Sequence, residues 1–113
     1  MSDNAIDLPT FEALQQTAGV EFVAELIGTF LDEAPRMLAE IRQSLAARDA
    51  DRFRRAAHSL KSNSNTFGAL LLGQMAKKLE LGGIDAAGNA QALDALDAEY
   101  ARVAAALEAL RSA

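Results

Sequence analysis

Residues 53–67 read FRRAAHSLKSNSNTF, and this stretch decides the fold. When 3.6 residues per turn are assumed and Phe53 is set at zero, five small or apolar residues fall within about 40° of it. These residues are Phe53, Ala57, Leu60, Ser64 and Phe67. One such stripe is typical of an amphipathic helix that buries a single face, and Gly68 is placed to end that helix.

His58, the single histidine of the chain, falls near about 140° on the same wheel, far from the stripe. It is therefore expected to project to solvent or to the edge of a groove. Its neighbours on that face, three or four positions away or one turn further, are Arg54, Arg55, Lys61, Ser62 and Asn65. Arg54, Lys61 and the Ser62 hydroxyl can donate hydrogen bonds to phosphate oxygens. Each cation alone is typical of a solvated helix face, but around an exposed histidine they favour a phosphoryl-binding patch.

The residues before this helix predict two others. A short helix is expected over about 9–17 with Thr10 as its N-cap, and residues 1–8 are expected to be frayed. From 20 to about 48, apolar residues recur at helical spacing, with a kink or brief break expected at Pro35. The repeating positions are Val23, Leu26, Ile27, Phe30, Leu31, Ala34, Leu38, Ile41 and Leu45.

The helix around His58 is predicted to begin at an N-cap supplied by Asp49 or Asp51. After Gly68 a further helix presents Leu72, Met75, Ala76 and Leu79 on one face, and Gly82-Gly83 is expected to stop it.

The last helix is expected after a loop over 85–88, with Asn89 as its N-cap. It carries Leu93, Leu96, Tyr100, Val103, Leu107 and Leu110 at alternating spacings of three and four. Short loops make neighbouring helices antiparallel, so the sequence predicts an all-α, antiparallel, up-down four-helix bundle over about 20–112. The short N-terminal helix is additional, and 1–113 is expected to be a single domain.

Composition limits the possible functions. The chain has 11 Lys and Arg against 16 Asp and Glu, a formal net charge of −5, which disfavours nucleic acid and anionic lipid as partners. It has no apolar run that could span a bilayer, and its start lacks the pattern of a signal peptide. One histidine and no cysteine cannot form a usual structural zinc site, and no Gly-rich nucleotide loop is present. The lack of cysteine fits the cytoplasm.

The residues 58–69, HSLKSNSNTFGA, resemble the signature of histidine phosphotransfer (HPt) domains. The shared pattern is a phosphoaccepting histidine, an apolar residue two on, a lysine three on, small residues, and a closing glycine. The segments 30–35 (FLDEAP) and 78–80 (KLE), the latter ahead of Gly82, also look like that family. The resemblance covers about residues 20–110.

The resemblance implies roles for particular residues. His58 would be the phosphoacceptor and Lys61 would stabilise the phosphoryl group. Ser62 stands where the family often has glycine, and a small side chain there lets phosphate and partner approach closely. Asn65 would orient the imidazole or touch the partner, and Glu80 would reach the histidine surface, although an i+3 pair between Lys77 and Glu80 is an equal alternative. Arg54, from its place on the same helix face, would support the site by donating hydrogen bonds to phosphate oxygens.

The resemblance also implies a phosphocarrier of a bacterial two-component system rather than an enzyme. His58 would accept a phosphoryl group from a receiver-domain aspartate of a hybrid histidine kinase or response regulator, and pass it to another receiver. Mg²⁺ is expected on the receiver and no cofactor on this chain. Phe11 or Leu14 would dock against a receiver helix, and a monomer is expected.

Two alternatives stay open on the residues alone. The first is a non-catalytic helical docking adaptor of the same fold, which would not depend on His58. The second is an enzyme using His58 as a general base, which needs an orienting carboxylate and a substrate pocket. Asp32 and Asp51 are available, but no spacing requires either to meet His58. The chain would shuttle between partners if it is a natural stand-alone protein, or be the terminal domain of a hybrid kinase if it is excised.

Overall fold

The computed structural model describes residues 5–86 and 90–112, without the side chains of Ala86 and Ser112. This part of the chain forms five helices, which are, in chain order, α1 (Leu8–Ala18), α2 (Val20–Ala46), α3 (Ala50–Phe67), α4 (Leu70–Ala86) and α5 (Ala90–Ser112). Helix α3 packs against both α2 and α4, and α5 closes the ring by packing against α2 and α4. The predicted all-α bundle of four antiparallel helices with an additional N-terminal helix is therefore confirmed.

The core forms from the helix faces that the apolar spacing indicated. The whole predicted stripe of α3 is buried, and the stripe of α4 is buried except for Met75, which is half-buried. On α2 and α5 the predicted positions divide into fully buried residues and partly buried ones packed against them. Side chains buried at the centre include Val23, Ile27, Ile41, Phe53, Leu60, Leu72, Leu96, Val103 and Leu107. None of the described helices is both long and apolar enough to cross a membrane.

The N-terminal expectation is wrong for the part of the segment that the structure describes. Ala5 and Ile6 are buried, and the backbone N–H of Asp7 donates to the carbonyl of Gly68 at 2.8 Å. Residues 5–8 are thus anchored to the end of α3, whereas 1–4 lie outside the described residues. The N-cap of α1 is Asp7, whose carboxylate accepts from the backbone N–H of Thr10 at 3.2 Å, so Thr10 is the capped residue and not the cap.

The helix ends follow local signals more closely. Asp49 caps α3, and Gly68 ends it in the left-handed conformation with φ 87°. Helix α2 continues through the exposed Pro35, so the expected break is absent, and the alternative of a kink there stays a prediction. Helix α4 leaves helical geometry at Gly83, as predicted, but resumes helical turns to Ala86, so 85–86 are not loop. The remainder of the predicted loop and the proposed cap Asn89 lie outside the described residues.

Candidate functional site

Helix α3 presents His58 near its middle, on the face opposite the buried stripe. The side chain of His58 is 55% exposed, as the helical wheel predicted. Its neighbours in sequence, Ala57 and Leu60, are fully buried, so the helix that carries the imidazole is fixed by the core on its other side. The histidine is therefore accessible while its backbone is held in place.

The key contact of this site comes from α4. Nδ1 of His58 lies 2.8 Å from Oε2 of Glu80, and Nζ of Lys61 lies 3.0 Å from Oε1 of the same carboxylate. Glu80 is thus shared between the histidine and the lysine one turn later, and its side chain is only 15% exposed. The alternative pair of Glu80 with Lys77 is not what the structure shows.

The lysine sets the charge state of this carboxylate. The contact with Lys61 lowers the pKa of Glu80 below its ordinary value, burial acts in the opposite direction, and the contact with His58 lowers the pKa further. Glu80 is therefore ionised at neutral pH. An ionised carboxylate can only accept hydrogen bonds. Nδ1 of His58 therefore carries the ring proton and donates a hydrogen bond to Oε2 of Glu80. In the neutral imidazole, Nε2 then carries the nucleophilic lone pair.

The position of Glu80 on α4 has a local cause. Ala76, one turn earlier, is fully buried, and Glu80 lies only about 40° around the helix from it. Glu80 is therefore at the edge of the buried stripe, facing α3 rather than open solvent. The place of Glu80 at the edge of the apolar stripe was the one feature of the sequence that indicated a contact with a neighbouring helix. Which side chain of α3 it meets depends on how α3 and α4 are aligned, and the sequence does not show that alignment.

The other predicted supporting residues do not contact the imidazole in the structure. Arg54 is exposed and its guanidinium is paired with Asp51 at 2.7 Å. Ser62 is exposed one turn beyond His58, where a small side chain leaves the helix surface open. Asn65 packs onto α4 at Gly73, where an added Cβ would collide with Oδ1 of Asn65. Glu80, and not Asn65, holds the imidazole in this structure, and a contact of Asn65 with the partner stays a prediction.

Of the two docking residues predicted on α1, Phe11 needs correction, whereas Leu14 stays a prediction. Phe11 is only 2% exposed and is part of the core, so it is not available to a partner. Leu14 is partly buried and packs against the core. The large apolar side chains that are exposed on the described residues are Leu8, Val20, Phe22, Leu70, Leu71 and Leu81. Of these, Leu81 follows Glu80 directly and is 74% exposed, next to the histidine site.

The surface around His58 differs in charge from the rest of the protein. Residues 50–80 carry six Lys or Arg and two Asp or Glu, although the whole chain has an excess of acidic residues. Arg54, Arg55 and Lys77 are all exposed, whereas Lys78, also exposed, lines a groove between α4 and α5. This face of α3 and α4 therefore favours an acidic partner surface.

A groove between α2 and α3 lies beside this face, lined in part by Arg36, Glu40, Arg52 and Ser59. His58 is not one of its lining residues. The orienting carboxylate required by the general-base alternative is present in Glu80, but this groove does not offer His58 a substrate pocket. Among the described residues, no group of three or more His, Asp or Glu is placed to hold a metal ion.

The chain is similar to known proteins in sequence and in fold. The family model described as "Hpt domain" matches residues 25–113. Sensor protein TorS of Escherichia coli (strain K12) is 30% identical over 79 residues, which is 70% of this chain but only 9% of TorS. The crystal structure of histidine-containing phosphotransfer protein B (HptB) from Pseudomonas aeruginosa PAO1 is similar, with a TM-score of 0.84 and 27% identity, covering 98% of this chain and 97% of that one. The chain belongs to the Hpt domain family, the histidine phosphotransfer modules of two-component phosphorelays.

Proposed function

We propose that the chain accepts a phosphoryl group on Nε2 of His58 from the aspartyl phosphate of one receiver domain and passes it to the aspartate of another. The observation that carries the proposal is the exposed imidazole whose Nδ1 is held by Glu80 at 2.8 Å. Because this contact directs the lone pair of Nε2 outward, the ring is oriented for attack before a partner arrives.

In the transfer step, the Nε2 lone pair attacks phosphorus in line with the bond to the aspartyl oxygen. That P–O bond breaks, and its electron pair leaves with the aspartate carboxylate. Lys61, three residues beyond His58 on α3, is within reach of the transferred group and offsets its negative charge. The same step in reverse donates the phosphoryl group to the next receiver.

The remaining requirements belong to the partner. Phosphoryl transfer depends mainly on positioning and on stabilising charge, and a receiver would supply the aspartate and Mg²⁺. The chain is then a phosphocarrier without catalytic machinery of its own. Its partners would be response-regulator receivers and a hybrid histidine kinase, docking on the basic face of α3 and α4 and on the neighbouring Leu81. We place this role in the cytoplasm, with the chain acting as a monomer.

The test is phosphotransfer from purified, ³²P-labelled receiver domains or an active hybrid kinase of the same organism. Wild type should acquire acid-labile, alkali-stable label, and His58→Gln should acquire none. Ser59→Ala, which changes the adjacent exposed side chain, is the matched control and should be labelled like wild type. Label on His58→Gln would contradict the assignment of the acceptor.

The docking adaptor of the same fold is separated by a binding measurement in the same experiment. If receivers bind wild type and His58→Gln equally while neither is labelled, the adaptor is the correct function and the phosphocarrier proposal fails.

A further inference from the structure

The residue that orients His58 is a carboxylate, although orientation alone does not require a charge. A neutral imidazole with its proton on Nδ1 needs only an acceptor, and an amide oxygen would serve as well. A charged acceptor differs most from an amide when the ring itself becomes positively charged, because the contact is then an ion pair. Attack through Nε2 produces that situation, because a ring that keeps its Nδ1 proton after forming the N–P bond is a cation.

Resting on the proposed function, we infer that Glu80 keeps the proton on Nδ1 after phosphorylation, so that His58 carries its phosphoryl group as a phosphoimidazolium. In the outward step the Nε2–P bond breaks and its electron pair returns to the ring. The leaving group is then a neutral imidazole with its proton still on Nδ1, and no proton has to move in either direction. Without that proton the leaving group would be an imidazolate, which is far more basic and leaves much more slowly. Glu80 is thus a positioning residue that makes the phosphohistidine a ready donor.

The arrangement of charges around the ring supports this inference. On α3, Arg54 and Arg55 are both paired with Asp51, and Lys61 is paired with Glu80. On α4, the other nearby charge is the exposed Lys77, one turn before Glu80. On α2, the charged residues that line the groove beside α3 are Arg36 and Glu40, and Glu40 is paired with Arg52.

The remaining neighbour of α3 is α1, and it is too distant to act on the ring. Its charged cap Asp7 meets α3 at Gly68, about 15 Å along the helix from His58. Glu80 is therefore the anion in direct contact with Nδ1. Its lowered pKa keeps it charged through the neutral range, and its low exposure limits screening by solvent.

The experiment measures hydrolysis of the phosphoprotein without any partner, so it is independent of receiver recognition. Wild type, Glu80→Gln and Glu40→Gln are phosphorylated chemically with phosphoramidate, and loss of the phosphoryl group is followed from pH 5 to 9. Glu40→Gln is the matched control, because Glu40 is also a carboxylate with a lowered pKa, paired with a cation of α3. It removes the same charge without touching His58.

Hydrolysis of wild type and of Glu40→Gln should depend little on pH up to about pH 8. The rate for Glu80→Gln should match wild type at pH 5 and then fall by about tenfold per pH unit once the ring loses its proton. Parallel profiles for wild type and Glu80→Gln would overturn the inference, even if receivers label the protein normally.

A second measurement covers the case in which Glu80→Gln cannot be phosphorylated. The ¹⁵N chemical shifts of the phosphorylated wild-type ring at pH 8 report directly whether Nδ1 is protonated. A protonated Nδ1 supports the inference and an unprotonated one overturns it. Absence of transfer from receivers, by contrast, would overturn the proposed function and leave these ring measurements unaffected.

Discussion

The two sides of α3 use similar residues in different ways. Towards α2, Arg52 donates to both oxygens of Glu40, at 2.7 and 2.8 Å. Towards α4, Glu80 divides its oxygens between His58 and Lys61. Both contacts join a carboxylate of a neighbouring helix to basic side chains of α3.

The difference lies in what each contact leaves available. The guanidinium of Arg52 and the carboxylate of Glu40 occupy each other in a bidentate pair, which holds two helices together and offers nothing nucleophilic. The pair of His58 with Glu80 occupies one ring nitrogen and directs the other outward. The same charge pattern is therefore structural on one side of the helix and chemically useful on the other.

The largest predicted difference between the two sides of α3 is in the rate of phosphotransfer. Replacing Lys61 with Ala should slow phosphotransfer from a receiver by roughly 100-fold, because one charge-assisted donor to the transferred group is lost. Arg52→Ala removes a cation of the same helix from the α2 side and should leave the rate unchanged. Rapid-quench measurement of single-turnover transfer distinguishes the two variants. Equal slowing in both would mean that the two sides of α3 are not functionally different.

The turns at the two ends of α3 extend the comparison to stability. Gly68→Ala should destabilise the fold by about 1–3 kcal/mol, since an L-residue is strained at positive φ. A Cβ at Gly68 would also lie only 2.8 Å from the carbonyl oxygen of Asp7. Urea denaturation measures the loss. In the control Gly28→Ala, inside α2, the new Cβ meets only the end of the Arg111 side chain at 3.1 Å, so stability should not fall.

What the sequence could predict follows from how local each signal is. The exposed face of His58 was predictable because the apolar spacing within α3 alone determines it. Asp49 and Gly68 act within their own turns, so the limits of α3 were predictable for the same reason. The family resemblance identified Lys61 from a fixed spacing to the histidine, and the structure places the two on one face.

The errors concern residues whose environment is made by another helix. Phe11 looked like an exposed residue of a short helix, but α1 lies on the bundle and buries it. Residues 5–8 looked frayed because their partner, the carbonyl of Gly68, is some sixty residues away along the chain. Glu80 could not be assigned between His58 and Lys77 without the alignment of α3 and α4. Each of these needed tertiary contacts that no local pattern contains.

At the other end of α3, the turn from α2 lacks a glycine. Arg48 has φ 56° and is the non-glycine residue with positive φ in the described backbone. Arg48→Gly should therefore stabilise the protein by about 0.5–1 kcal/mol, less whatever its exposed ion pair with Asp85 contributes. Arg48→Ala removes the same ion pair without relieving the backbone, so it should be no more stable than wild type in thermal denaturation. If both variants behave alike, the left-handed residue is not a source of strain.

The smallest expected effect concerns the pH dependence of stability, where the two carboxylates should act alike. Arg52 lowers the pKa of Glu40 by its hydrogen bond, against the effect of burial, and Lys61 does the same for Glu80. A carboxyl group whose pKa is lower in the folded than in the unfolded state stabilises the folded protein at any pH above its unfolded pKa, about 4.5. That stabilisation is lost as the pH falls through the pKa of the folded state. Glu40→Gln should therefore have a lower urea midpoint than wild type at pH 7, and the gap should close as the pH falls below 4.5 and through the lowered folded pKa. Glu80→Gln should follow the same course. A difference in urea midpoint that persists in acid would show that the variants lose packing rather than charge. If the two variants have equal stability curves but unequal phosphotransfer rates, the functional difference between the two carboxylates comes from the contact with His58 alone.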